Sequence, residues 1–383
     1  MRIIATCILL FVFYYLFTRS GLRFLSQFPT SFTWTELLIN YQGGFIKRGL
    51  LGEIAFNLHH IIHAQIFFTG VVVSLYIIVA TWMVIQSSKR LDFGTFLLLF
   101  SPAGLLFPIY DLQAFGRKDI FIIAAFLLSA GVVWKIKPKP LALALIMLVY
   151  LATGLVIETA WFYFPLAATF VIARHSPSIR WQIGMALFCI LYLVLCYPLA
   201  SAYPLAPPEN QIILSWRSIG LTNAYEERLG ALEFVGFSIR DAINYSLFNT
   251  ELWTERPRNS YFFGFILASI PLIVLLRKWR SPFTGMLTFA GISAAVLVMM
   301  VPFFVAADWG RYIYLFTFQV GLYILITDTS PTKSIDLMTK SWPMMFVKLS
   351  FFILFAGSWT LAHFVDKGNI GLLPGYILRA IGF

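Results

Sequence analysis

Apolar residues run along this chain in long stretches separated by short polar connectors, from its first residues to its last. Runs of this kind are long enough to cross a bilayer as helices. They predict eleven spans, at approximately 3–18, 66–86, 95–110, 120–134, 141–157, 160–173, 182–200, 261–276, 283–305, 312–326 and 343–363. Several are short, so tilt or extension into flanking residues is expected. Pro102, Pro108 and Pro165 fall within or at the ends of spans three and six, where proline kinks or ends a helix. The expected fold class is all-α, a polytopic transmembrane helical bundle. It forms a single integral membrane domain over 1–383, with 201–260 as a large outer loop.

Composition sharpens that picture. Hydrophobic residues make up 60% of the chain and charged residues 12%, against about 25% charged in a soluble domain. The net charge of +11 comes from short basic clusters between apolar runs. That pattern is topogenic and gives no reason to expect a nucleic-acid partner. Cys7, Cys189 and Cys196 all lie in apolar spans with no C-x-x-C spacing, so neither a disulfide framework nor thiol chemistry is expected. Met1-Arg2 followed by an apolar run to Thr18 resembles a signal peptide, but no small-residue cleavage site precedes Arg19. It reads as a retained first helix.

With the N-terminus inside, the inner segments carry 13 cations and three acids (Asp92, Asp328 and Asp336). The outer segments then carry 14 cations and 14 acids, and Lys348 alone lies in a span, where it can snorkel. Cation excess in short inner loops fixes the orientation, so the N-terminus is expected inside and the C-terminus outside. The chemically unusual loops then share the outer face. These are 19–65, Asp111 to Asp119, the turn at Glu158, 201–260, and Ala306 to Arg311.

The richest of them is Asn40–Glu53, N-Y-Q-G-G-F-I-K-R-G-L-L-G-E. Its glycines permit tight turns and close backbone approach. Lys47 and Arg48 suit a phosphate, as a point charge and a bidentate fork, or a plain basic juxtamembrane turn. In Y-D-L-Q-A-F-G-R-K-D, Asp111 and Asp119 bracket Arg117 and Lys118. Either Asp119 pairs locally with one of these cations, or the cations join Arg48 around a pyrophosphate. Glu158 interrupts L-V-I-E-T-A-W-F-Y-F-P, and a carboxylate at membrane depth calls for a partner; Arg117 or Arg311 is the expected one. Otherwise it is a surface carboxylate in a tight turn. Asp308 and Arg311 stand three residues apart beside Trp309 and Tyr312. They read as an ion pair starting span ten, or as a cation with aromatic faces for a sugar phosphate.

The long loop has five cations and seven acids. Trp216, Tyr225, Asn244, Tyr245, Asn249 and Trp253 give it an aromatic and amide character suited to carbohydrate, and Trp216-Arg217 and Glu226-Glu227-Arg228 are its most chemical-looking elements. A structureless loop of that length is uncommon, so short helices and a function are expected. On a helix His59 and His63 share a face and His60 and His63 nearly do, so the cluster could bind a metal or supply a base, but no H-E-x-x-H pattern accompanies it. No metal and no cofactor is expected. There is no Walker loop, G-x-G-x-x-G or G-x-S-x-G, and no internal repeat of useful length.

The phrases G-G-F-I-K-R-G-L-L-G (43–52), F-G-R-K-D (115–119) and D-W-G-R-Y (308–312), set among many helices with a long outer loop, resemble the polytopic enzymes of bacterial surface-polysaccharide assembly. These are the O-antigen polymerases and the GT-C-class polyprenyl-phosphate-sugar glycosyltransferases. The resemblance implies an inner-membrane, multi-pass enzyme that transfers sugars or repeat units from a polyprenyl-(pyro)phosphate carrier on the periplasmic face. Its partners would be that lipid-linked glycan, membrane lipid and other polysaccharide-assembly proteins. Lys47, Arg48, Arg117 and Arg311 would hold the leaving phosphate, with Lys118, Asp308 and Trp309 beside it. Glu158 or Asp111 would take the acceptor's proton, and the long loop would close over the glycan. The chain departs from the GT-C pattern in lacking an Asp-Asp or Glu-Asp pair in its first outer loop, where only Glu36 and Glu53 are available. A transporter or flippase for an anionic or lipid-linked glycan is the alternative from another class, and a non-catalytic assembly subunit is a third.

Overall fold

The computed structural model describes residues 2–28, 31–90, 92–175, 178–201, 209–221, 230–235, 237–248, 255–279, 286–328 and 342–361. The elements Tyr225, Glu226-Glu227-Arg228, Asn249 and Trp253, the inner cations Arg280, Lys333 and Lys340, and the end of the last expected span lie outside the described residues.

Among those residues every regular element is helical. In chain order they are α1 (Arg2–Leu25), α2 (Phe32–Leu37), α3 (Leu50–Leu58), α4 (Ala64–Arg90), α5 (Phe93–Leu99), α6 (Phe107–Tyr110), α7 (Leu112–Phe115), α8 (Asp119–Lys135), α9 (Lys139–Val156), α10 (Phe164–His175), α11 (Ile179–Ser201), α12 (Glu209–Ser218), α13 (Ile239–Ile243), α14 (Glu255–Lys278), α15 (Met286–Val298), α16 (Pro302–Val305), α17 (Trp309–Thr327) and α18 (Trp342–Gly357). A 3₁₀ turn, Glu158–Tyr163, joins α9 to α10.

Among the described residues five helices are long and apolar enough to cross a membrane: Ile3–Leu25, Ala64–Lys89, Lys139–Val156, Ile179–Leu199 and Ser260–Lys278. They leave large apolar side chains on the outside, among them Phe11, Leu187, Val194, Phe262 and Ile273. A helix that is apolar all round belongs in a core or in lipid, and both cases occur here. In α17, 15 of 19 residues are buried, and it packs against α14, α8 and α5. It is the central helix.

The apolar run 95–110 is not one helix. α5 ends at Leu99, and residues 100–106 form a buried turn before α6. Pro102 cannot donate to a helical ladder, so the run breaks there. The turn satisfies its backbone locally: the Gly104 amide donates to the Ser101 carbonyl at 2.8 Å, and the Ser101 hydroxyl accepts the Ala103 amide at 3.1 Å. Non-helical backbone at such depth survives only where it is internally bonded or lines a polar space.

The loops at the 119-end of α8 fold into a cap. Trp34 of α2 stacks on Phe24 with centroids 4.2 Å apart, and its indole donates to the Phe24 carbonyl at 3.1 Å. The long loop comes down on this first loop. The Trp216 indole of α12 donates to the Leu38 carbonyl at 2.6 Å, the Asn40 amide donates to Ser215 Oγ at 2.9 Å, and the Ala231 amide donates to Thr35 Oγ1 at 2.9 Å. Its short helices α12 and α13 match the expectation drawn from its length.

Candidate functional site: a buried chain of alternating charges

The first loop is built to present one arginine. The Glu53 carboxylate accepts the Tyr41 amide at 2.9 Å and the Gln42 side-chain amide at 2.9 Å, so it closes the loop as a structural tie. Gly52 lets α3 approach the carbonyl of Ile39 so closely that a Cβ there would overlap it. Between these ties Arg48 sits in the left-handed region at φ 66°, the only non-glycine residue among those described with positive φ. Such a conformation is held by its surroundings and clusters at ligand sites. The holder here is Lys118, whose Nζ donates to the Arg48 carbonyl at 2.8 Å.

From Arg48 an unbroken ladder of opposite charges runs into the bundle. Its guanidinium grips Glu158 bidentately (Nε to Oε2 2.7 Å, Nη2 to Oε1 2.6 Å) and reaches Glu36 through Nη1 at 3.2 Å. Glu36 also accepts from Arg117 Nη1 at 2.8 Å. Arg117 lies over the Phe32 ring, 4.4 Å from its centroid, and its Nη2 stands 3.7 Å from Asp308. Asp308 then accepts from Arg311 at 2.7 Å. Arg311 holds Asp119 bidentately, at 2.7 and 2.6 Å. The ends of α8, α9 and α17 and the whole of α2 therefore meet at one place.

The ladder has an inside and a rim. Glu36, Arg117, Lys118, Asp119 and Arg311 are buried. The side chains of Arg48 (24% exposed), Glu158 (14%) and Asp308 (19%) keep some access to solvent. Burial alone pushes the Glu158 carboxyl up, but the Arg48 guanidinium, helped by Lys47, holds it down at about 2. Glu36 is likewise held far below the usual carboxylate range, with burial opposed by Arg117 and Arg48. Burial pulls the Lys118 ammonium down to about 8, although Glu36 favours its charged form. Burial also lowers Lys47, whose Nζ donates to the Phe237 carbonyl at 3.3 Å.

Several sequence expectations are corrected by these contacts. The partner of Glu158 is Arg48 rather than Arg117 or Arg311. Asp119 pairs with Arg311, across the bundle, rather than with its neighbours Arg117 or Lys118, because α8 points its first carboxylate at the start of α17. Arg48, Arg117 and Arg311 do not form a bare phosphate cradle, since carboxylates engage each one. Asp111 caps α7 by accepting the Gln113 and Ala114 amides. The Trp309 indole donates to the Phe303 carbonyl at 2.9 Å and its ring packs near Phe303 and Tyr261, which anchors it in protein. His59 Nδ1 accepts the Ala64 amide at 3.2 Å and its ring meets that of His63 edge-on. Among the described residues no group of three or more His, Cys, Asp or Glu side chains is arranged to hold a metal ion.

Glu36, the hub of the ladder, entered the sequence reading only as one of two carboxylates available in the first outer loop, with no role or partner assigned. Its signal is the one that marks Glu158: a lone acid inside an apolar and aromatic stretch, F-T-W-T-E-L-L-I.

Compared with protein-family models, curated proteins and solved structures, the chain matches none.

Proposed function

We propose that this chain is a membrane-embedded glycosyltransferase or polysaccharide polymerase of the bacterial inner membrane. It takes sugars or repeat units from a polyprenyl-(pyro)phosphate carrier on the periplasmic face. The topology in this reading has eleven spans, the N-terminus inside and the C-terminus outside. The observation that carries the reading is the charge ladder at the loop end of the bundle, buried within and open at Arg48, Glu158 and Asp308. A ladder this elaborate is more than a fold of this kind requires for stability, because buried ion pairs contribute little net free energy.

In this mechanism Arg48 and Lys47, at the rim, neutralise the leaving phosphate, where charge develops in the transition state. Arg117, Glu36, Arg311 and Asp119 act behind them and fix the orientation of Arg48 and Asp308. A rim carboxylate, Glu158 or Asp308, accepts the proton of the acceptor hydroxyl. The cap made by the long loop holds donor and acceptor in line.

The broken helix at residues 100–106 favours a second reading, transport of a lipid-linked or anionic glycan, since discontinuous spans mark many transporter sites. One experiment separates the two. Purified protein in liposomes is supplied with radiolabelled polyprenyl-phosphate sugar and an acceptor glycan. Label leaving the lipid and appearing in the glycan supports the transferase. Label that crosses the bilayer still joined to its lipid supports the transporter and overturns the enzyme.

A further inference from the structure

The Arg48 fork already holds what a phosphate ester would present to it, two oxygens in one plane, and the group supplying them is Glu158. Carboxylate and phosphate satisfy the same bidentate geometry. Among the described residues, five cations at and behind that fork (Lys47, Arg48, Arg117, Lys118 and Arg311) stand with four carboxylates (Glu36, Glu158, Asp119 and Asp308). Lys47 and Lys118 make no ion pair among the described residues; each donates to a backbone carbonyl. Lys118 is fully buried, and an ammonium has three donors, of which this contact uses one. A buried cation with no direct ion pair is costly, and a further anion beside it lowers that cost. Both lysines lie within electrostatic reach of Glu158.

We infer that Glu158 is a stand-in for substrate: the Arg48 fork, flanked by Lys47 and Lys118, is a binding site for a phosphate ester, and a phosphate that enters it displaces the Glu158 carboxylate. The exchange does two things at once. It adds negative charge beside two lysines that make no direct ion pair among the described residues. It also removes from Glu158 the guanidinium that keeps it a poor proton acceptor, and leaves a carboxylate in a buried setting that favours its protonated form. Donor binding thereby arms the base.

The last step rests on the transferase reading. The acceptor oxygen forms its bond to the sugar's anomeric carbon, and the bond from that carbon to the phosphate oxygen breaks. Its electron pair stays on the phosphate, and the acceptor's proton passes to Glu158. The added charge on the phosphate is met by Arg48, Lys47 and Lys118.

The test is a binding measurement on the full-length protein in nanodiscs, with farnesyl phosphate and with inorganic phosphate as probes. An internal competitor weakens binding, so Glu158→Gln is expected to bind farnesyl phosphate roughly tenfold more tightly than the native protein while losing turnover. Glu158→Asp keeps the charge on a shorter arm and is expected to bind more tightly as well, which covers the case in which the glutamine variant does not fold. Equal tightening for inorganic phosphate assigns the site to the phosphate alone; tightening for the farnesyl ester only assigns it to a lipid headgroup. Unchanged or weaker binding in both variants overturns the inference, whatever the turnover. Tighter binding in a protein that transfers no sugar leaves the displaced carboxylate standing and removes the transferase.

Discussion

At the scale of single residues, Lys118 is the group whose energetics are most out of line with its setting. Its ammonium is wholly buried and its pKa sits at about 8, below the ordinary value of 10.5. The unfolded chain therefore binds a proton there that the folded chain gives up between about pH 8 and 10.5. Stability rises with pH wherever the unfolded state holds more protons, so Lys118 penalises the fold at neutral pH and the penalty fades across that window. Lys118→Met is expected to reduce this rise, leaving the part contributed by Lys47, whose ammonium burial also pulls down. Thermal unfolding of native and variant protein in detergent, compared from pH 7 to 10.5, checks it; parallel curves would show that Lys118 is not the source. Glu36, Arg48 and Glu158, the charged groups that face Lys118, do not titrate in that window. At this scale the sequence was a partial guide. Glu158, Arg48, Arg117, Asp308 and Arg311 stood out because charge is rare in apolar surroundings. The pairing of Asp308 with Arg311, three residues apart, was legible, but the long-range partners were hidden by their distance along the chain: 110 residues separate Arg48 from Glu158, and 192 separate Asp119 from Arg311. Only tertiary packing decides between a neighbour and such a partner.

At the scale of elements, the apolar runs announced where helices would form, since composition and length suffice for that. They did not announce where a helix would stop short. Pro102 was visible, but the buried turn at 100–106 depends on Gly104 fitting against the Leu98 carbonyl, and on Ser101 capping its own turn. The first loop was legible as glycine-rich and basic, whereas its internal ties to Glu53 and its docking under Trp216 were not. The close approach of α3 to Ile39 yields a sharp contrast between two glycines. Gly52→Ala places a methyl group on the Ile39 carbonyl, and is expected to dislodge Arg48 and lower the amount of folded protein in the membrane. Gly70→Ala, in the second turn of α4 with open space around the new methyl, is expected to be neutral or stabilising by up to about 1 kcal/mol. Quantifying both variants by size-exclusion of a fluorescent fusion decides the matter. Equal yields would mean that the loop tolerates displacement.

At the scale of the whole molecule, the ladder ties the topology to the chemistry. It joins the C-terminal end of α9 to the N-terminal ends of α8 and α17, so these three helix ends lie together. α2, α12 and the 3₁₀ turn Gly230–Phe234 lie over them on that side. The basic connector Lys135–Lys139 lies at the opposite ends of α8 and α9. In the proposed topology, cation excess at that connector puts it in the cytoplasm, and the ladder is then expected to face outward. Cysteine accessibility tests this without reference to any activity. In a background with Cys7, Cys189 and Cys196 replaced, Gln42→Cys, at an exposed position of the first loop, is expected to react with a membrane-impermeant maleimide in intact cells. Lys137→Cys is expected to react only after the membrane is opened. The reverse pattern would put the ladder on the cytoplasmic side. There a polyprenyl-linked sugar could still be built but a periplasmic polymer could not, so a flippase or an inner-leaflet transferase would replace the enzyme proposed here. Labelling of both positions in intact cells would instead require an odd number of membrane crossings between residues 42 and 137 to become even, which would remove one of α4, the α5–α7 run or α8 from the set of spans.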